Sequence, residues 1–268
     1  MRIGVFDSGF GGLTVLRELL LLVPGAEFLY LGDTARLPYG SKSRATIVRY
    51  ALSSTRFLLD QGADLLVIAC NTASALALDE IRASTQVSVL GVIETGADEA
   101  RDFSRTRDIL VIGTDATVSS HAYAAACRER GLRALEKACP LLVPLVEEGW
   151  VDHPVTAEVV RIYLTELLEQ AQEAELNPDT LVLGCTHYPL LRPMMEAALS
   201  PAIRVIDSAQ ATASQAAARL VGGRGVLSGE SRGKCRFFAT DSVSKFRRLG
   251  VRFLGGPMTE VELVDLGG

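Results

Sequence analysis

Short apolar runs alternate along this chain with longer amphipathic stretches. The runs fall at Ile3–Phe6, Glu27–Leu31, Leu65–Ala69, Val87–Ile93, Asp108–Ile112, Leu181–Leu183 and Ile203–Ile206. Several are continuous rather than alternating, as strands covered on both faces require. Between them, apolar residues recur at helical spacing over Gly11–Leu22, Ser43–Gln61, Ala73–Ser84, Ser119–Gly131, Thr156–Ala174 and Leu190–Leu199. Strand and helix in turn predict an α/β protein built on doubly wound parallel sheets. Toward the end, Lys234–Asp241 reads as a strand, Ser242–Gly250 as a helix and Thr259–Leu266 as a last strand. The stretch Val221–Lys234 before them is glycine-rich and says little.

The pattern repeats. Leu66-Val67-Ile68-Ala69-Cys70-Asn71-Thr72 is echoed by Leu181-Val182-Leu183-Gly184-Cys185-Thr186-His187, with the second cysteine 115 positions after the first. Ile3–Asp7 parallels Leu110–Thr114, and Val89–Ile93 parallels Ile203–Asp207. Order and spacing agree, so two similar halves are expected, with the boundary between Ile93 and Asp108. We assign residues 1–97 with 209–268 to a first α/β domain, the tail folding back onto it. Residues 98–208 form the second. Open parallel sheets bind ligands beyond the carboxyl ends of their strands. Both cysteines sit at such ends, and two halves facing each other would hold them across an interdomain cleft.

Composition narrows the chemistry. A chain of 268 residues with 48% hydrophobic content can bury two ordinary cores. The net charge is −5, and the 27 basic residues are spread thinly. Arg247 and Arg248 make only a small local pair. No nucleic-acid partner is expected. Leu19–Val23 is too short to span a bilayer, and Met1–Asp7 reads as a strand, not a signal peptide. No membrane association is expected, and the compartment read is the cytoplasm. Five cysteines occur with no CxxC pair. In a reducing compartment these are free thiols. No His/Cys/Asp spacing suggests a metal site, and none of the four lysines sits in a context that argues for a Schiff base. No metal and no cofactor are expected.

A cysteine taken singly is a small buried hydrophobe. Two thiols at matching strand ends invite more. Racemisation needs a proton removed from one face of a carbon and returned to the other, which an acid and a base on opposite faces do directly. A strand-end cysteine leading into a helix gains a lowered pKa from backbone N–H groups and the helix dipole. Asn71, Thr72 and Thr186 can cap helices or donate to a ligand carboxylate. Asp7 closes the first strand before the turn Ser8-Gly9-Phe10-Gly11-Gly12, where it can receive an ammonium group or cap the following helix. That turn lacks the dinucleotide-binding spacing. His187, two residues beyond Cys185, can supply a proton or polarise the thiol. His121 and His153 show no partner in the sequence.

Four blocks then resemble the bacterial glutamate racemase family. They are Asp7-Ser8-Gly9-Phe10-Gly11-Gly12-Leu13-Thr14-Val15, Tyr30–Ser43 (YLGDTARLPYGSKS), Ile68-Ala69-Cys70-Asn71-Thr72-Ala73-Ser74 and Leu183-Gly184-Cys185-Thr186-His187-Tyr188-Pro189-Leu190. The resemblance implies two α/β domains related by pseudo-twofold symmetry. It implies Cys70 and Cys185 as catalytic thiols, aided by Asp7 and His187, with Glu147 supporting the histidine. It implies substrate contacts at Asp7, Ser8, Tyr39, Gly40, Asn71, Thr72, Thr186 and His187, and at Thr117 in the turn Thr114-Asp115-Ala116-Thr117. The implied reaction is L-glutamate to D-glutamate without a cofactor, for peptidoglycan synthesis. Cys70 would take the proton from the D-isomer and Cys185 from the L-isomer.

The nearest alternative is an aspartate or other amino-acid racemase of the same fold. A non-catalytic amino-acid binding protein would not need paired thiols. A redox protein would join Cys70 and Cys185 in a disulfide. A homodimer is compatible with the sequence, which does not set the assembly state.

Overall fold

The computed structural model describes residues 1–221, 234–258 and 260–267. Thr259 and most of the glycine-rich stretch Val221–Lys234 lie outside the described residues. The chain divides into two compact units, Met1–Val92 with Ala209–Gly268, and Ile93–Ser208.

The first unit begins β1 (Arg2–Asp7), α1 (Leu13–Leu22), β2 (Glu27–Gly32), α2 (Arg44–Asp60), β3 (Leu65–Ile68), α3 (Asn71–Ala83) and β4 (Ser88–Gly91). The second holds α4 (Val92–Phe103), whose first residue belongs to unit one. It continues with β5 (Asp108–Gly113), α5 (Asp115–Ser119), α6 (Ala122–Glu129), β6 (Arg133–Ala138), α7 (Leu142–Glu147), α8 (Pro154–Glu173), β7 (Thr180–Gly184), α9 (Arg192–Ala198) and β8 (Arg204–Asp207). The chain then returns to the first unit with α10 (Ala209–Val221), β9 (Cys235–Ala239), α11 (Val243–Leu254) and β10 (Val261–Leu263).

Each unit has a parallel sheet. The first runs β10-β9-β2-β1-β3-β4, the second β6-β5-β7-β8. The order β2-β1-β3-β4 is thus repeated as β6-β5-β7-β8, and the tail adds two strands beside β2. The continuous apolar runs are the central strands: β3, β5 and β7 are buried throughout. Each fully covered Val, Leu or Ile there contributes about 1.5–3 kcal/mol of transfer free energy.

Helix starts follow local chemistry. Ser43 Oγ accepts from Thr46 N at 3.4 Å and opens α2. Pro154 occupies the first turn of α8, where its missing N–H costs nothing. His153 caps that helix, its Nδ1 accepting from Val155 N at 3.1 Å, and its ring stacks on Trp150. His121 is likewise partnered, 3.0 Å from Glu136 Oε2. The sequence had offered neither histidine a role.

Three readings need correction. Val87–Ile93 was expected as one strand, but the strand stops at Gly91 and α4 begins at Val92. Apolar residues line both the buried strand and the helix's inner face, so the run hides the joint. Strand β6 was not expected, because Arg133–Ala138 is the sheet's edge and carries Arg, Glu and Lys. Helices α7 and α10 were also missed.

Gly32 shows how tightly the first sheet's carboxyl end is built. A Cβ there would meet the Gly9 carbonyl oxygen at 2.3 Å and Phe246 Cε2 at 2.6 Å. Backbone cannot yield as a flexible side chain can. Gly32→Ala is expected to cost about 2–3 kcal/mol and to lower the melting temperature by roughly 4–12 °C. Thermal unfolding measures it. An unchanged melting temperature would show that the turn at Gly9 moves freely.

Candidate active site

In the first unit the chemistry collects where β1, β2 and β3 end. Asp7 is the last residue of β1 and is fully buried. Its Oδ2 accepts from Gly9 N at 2.8 Å, so it closes the Ser8-Gly9 turn. Helix α1 follows, with Gly12 as its N-cap residue. Tyr30 from β2 steadies the same turn, its hydroxyl donating to the Gly9 carbonyl at 3.2 Å. A Cβ on Gly12 would meet Asp7 Cβ at 2.6 Å, so glycine there lets α1 approach the acid.

Cys70 follows β3 and is the N-cap of α3, its Sγ accepting from Ala73 N at 3.4 Å. Ser8 Oγ lies 3.5 Å from the same sulfur. Asn71 and Thr72 form the first turn of α3, both buried. The helix start was expected to lower the thiol's pKa. Instead burial, then the Asp7 carboxylate, push Cys70 up to about 12, outweighing the donors Ser8 and Ala73 N. Desolvation penalises the thiolate more than one sulfur hydrogen bond rewards it. Cys70 therefore rests as the thiol.

Tyr39 and Gly40 lie in the short helical turn Tyr39–Ser41. The Tyr39 ring packs against Phe6 and Tyr50. Its hydroxyl donates to Asp33 Oδ2 at 2.6 Å. Asp33 is fully buried, and the sequence reading gave it no role. A signal existed: Asp7 pairs in register with Gly32, so Asp33 is an acid one step past the neighbouring strand's end.

The second unit places its residues at the corresponding sheet end. Cys185 follows β7, with Thr186 and His187 next; all three are buried. His187 Nε2 lies 3.4 Å from Glu147 Oε1, at the end of α7. Burial alone would lower the His187 pKa. The neighbouring Cys185 sulfur and the Glu147 carboxylate outweigh it and raise it to about 10. The Cys185 sulfur and the Glu147 carboxylate thus favour the protonated ring of His187. Tyr188 anchors the segment, donating to the carbonyls of Gly113 and Cys139 at 3.0 and 2.9 Å. Thr117 is buried in α5, its Oγ1 3.0 Å from that of Thr114.

The residues read from the sequence therefore fall into two groups. Asp7, Ser8, Tyr39, Gly40, Cys70, Asn71 and Thr72 belong to the first unit. Thr117, Glu147, Cys185, Thr186 and His187 belong to the second. Among the described residues, no three His, Cys, Asp or Glu side chains are grouped to hold a metal ion. No helix among them is long and apolar enough to cross a membrane.

The fold and these groups define an α/β protein of two repeated parallel sheets, each presenting one buried thiol at the carboxyl end of the equivalent strand. The chain belongs to the Asp/Glu/Hydantoin racemase family, whose model matches residues 12–216. It is 53% identical to a glutamate racemase from Koribacter versatilis, over 99% of this chain and 98% of that one. Among solved structures it is similar to a glutamate racemase isoform from Bacillus anthracis, at TM-score 0.90 and 36% identity, covering 99% of this chain and 97% of that one. It is also similar to a glutamate racemase from Francisella tularensis in complex with D-glutamate, at TM-score 0.89 and 34% identity, covering 99% and 97% of the two chains.

Proposed function

We propose that this chain interconverts L- and D-glutamate without a cofactor, with Cys70 and Cys185 acting as acid and base on opposite faces of the α-carbon. The repeated placement carries the reading: one buried thiol ends the equivalent strand of each unit, with its own proton-handling neighbours. Glutamate is the substrate that its relatives' names give, and the product serves peptidoglycan synthesis. The cytoplasm, where free thiols persist, is the proposed compartment.

Main-chain and hydroxyl donors at Ser8, Asn71, Thr72, Thr117 and Thr186 hold the carboxylates, and Tyr39-Gly40 meets the side-chain end. Asp7 receives the ammonium group. In the L-to-D direction the Cys185 thiolate takes the α-proton, forming S–H as C–H breaks. The electron pair left on carbon takes the proton of the Cys70 thiol on the other face. Cys70 ends as thiolate and Cys185 as thiol. The D-to-L direction reverses each step. Cys70, held as the thiol by burial and by Asp7, suits the acid role in the first of these. The α-proton is a poor acid, so preorganised donors in a dry site must stabilise the carbanion-like state.

Incubation with L-glutamate in D₂O tests the reading. D-glutamate should form with deuterium at the α-carbon, while remaining L-glutamate stays protiated at early times. Aspartate, one methylene shorter, should turn over roughly 10- to 200-fold less efficiently. D-glutamate that keeps its α-protium would overturn the two-base route. Equal turnover of aspartate would overturn the substrate assignment.

A further inference from the structure

The Tyr39-Gly40 turn is held by a network centred on the buried Asp33 that no step above uses. Tyr39 donates to Asp33 Oδ2 at 2.6 Å, and Thr240 Oγ1 donates to Asp33 Oδ1 at 2.9 Å. Both carboxylate oxygens are thus occupied, one by the turn and one by the tail beyond β9. The Thr240 hydroxyl also accepts from Ala35 N at 2.9 Å. Next to it, Thr34 Oγ1 donates to the Asp241 carbonyl at 2.5 Å and accepts from Asp241 N at 2.9 Å. Arg36 lies 3.5 Å from Asp33 Oδ2, stacks over the Tyr50 ring and donates to the Gly267 carbonyl. Asp33 N donates to the Asp7 carbonyl at 3.0 Å, and Thr240 N to that of Gly32 at 3.2 Å. One buried residue therefore joins three things: through its backbone the strand-end Asp7, and through its carboxylate the Tyr39 turn and the carboxyl-terminal segment.

We propose that Asp33, locked by Thr240, is a positioning residue that sets the Tyr39-Gly40 turn for the substrate's side-chain carboxylate. The proposal rests on the glutamate racemase reading, which makes that turn a substrate contact. Asp33 and Thr240 touch no substrate. They act by preorganisation: a turn already ordered loses little entropy when the carboxylate arrives. The side-chain end of glutamate is remote from the reacting carbon. Its hold is the same in the ground and transition states, so loosening it raises KM and spares kcat.

Kinetics of Thr240→Val, Thr240→Ser, Asp33→Asn, Tyr39→Phe and the double variant Asp33→Asn/Tyr39→Phe test this. Thr240→Val and Asp33→Asn should each raise KM for glutamate about 5- to 30-fold, the effect of one lost hydrogen bond to a charged group, with kcat within about threefold. Thr240→Ser restores the hydroxyl and should bring KM back to within about twofold of wild type. The double variant should be no worse than its worse single, because both changes break one contact. A fall in kcat at unchanged KM, additive effects, or a Ser variant as impaired as Val would overturn the proposal. If Asp33→Asn does not fold, the Thr240 pair, matched in size or hydroxyl, still decides.

Amide hydrogen exchange at Gly40 and Ser41 separates the two readings. Faster exchange in Thr240→Val with unchanged KM would overturn the positioning role and leave the racemase standing. A wild-type chain that does not racemise glutamate would overturn the reading beneath it. The proposal would fall with it.

Discussion

Cys70→Ser and Cys185→Ser should each lose racemisation of glutamate by at least about 10³-fold, the scale of losing a positioned acid or base. The serine hydroxyl is far too weak an acid or conjugate base for either half-reaction. Serine is a better probe than alanine at position 70. Cys70 Sγ caps α3 through Ala73 N, and an alanine would add a helix-cap loss of about 1 kcal/mol to the catalytic one. The variants also differ from an unfolded protein in a specific way. Cys70→Ser keeps Cys185, which can still remove the α-proton of L-glutamate and return a solvent deuteron to the same face. Exchange without inversion should therefore persist for the L-isomer alone. Cys185→Ser should show the mirror result, confined to the D-isomer. The assay is ¹H NMR in D₂O with a chiral readout. Racemisation near the wild-type rate in either variant would remove its cysteine from the mechanism.

The second large effect falls on His187. His187→Asn should lower kcat about 10²- to 10³-fold, because it removes the titratable ring beside Cys185. It should also change how stability depends on pH. The folded-state pKa is raised to about 10, from an ordinary value of 6.5. The folded state then holds a proton that the unfolded chain has released. The resulting stabilisation is fully present below about 6.5 and is lost as pH rises through about 10. Cys70 acts in the same direction at higher pH. Its thiol is pushed from 9.0 up to about 12, so stability declines further above the lower value. Chemical denaturation of wild type and His187→Asn at intervals from pH 6 to 10 measures the difference. The wild-type profile should fall across that window, and the variant's should be flatter. Parallel profiles would mean that the Cys185–His187–Glu147 contacts do not hold the proton.

Several elements were legible before any coordinates. The strands β1, β3, β5 and β7 are continuous apolar runs because helices cover both faces of their sheets. The echo of Cys70 in Cys185 was legible for the same reason, since each follows a central strand. β6 was not legible. Arg133–Ala138 lies at an edge, where burial imposes no pattern on half its positions. Its place could be inferred only from the repeated strand order, in which it stands where β2 stands. The joint between β4 and α4 was hidden because both elements present apolar residues inward there.

The site divides the same way. Asp7, Cys70, Cys185 and His187 were visible because each lies within a short contiguous block whose spacing serves one strand end. Asp33 stood in such a block without a role. Its partners Tyr39 and Thr240 are 6 and 207 positions away, and only the folded sheet brings the second of them near.

The sequence by itself determined the α/β class, the repeat and the pairing of two thiols, because these rest on local periodicity and on residues adjacent in the chain. Only the tertiary structure decided the thiols' electrical surroundings. Cys70 was expected to be acidified by its helix, and it is instead held protonated by burial and by Asp7. Ser8, whose hydroxyl lies 3.5 Å from its sulfur, is 62 positions distant. His187 was read as able to supply a proton or polarise the thiol, and its pKa is raised by Cys185 beside it and also by Glu147, 40 positions before it. Desolvation and through-space charge depend on what the fold packs around a group, and no local pattern of residues records that.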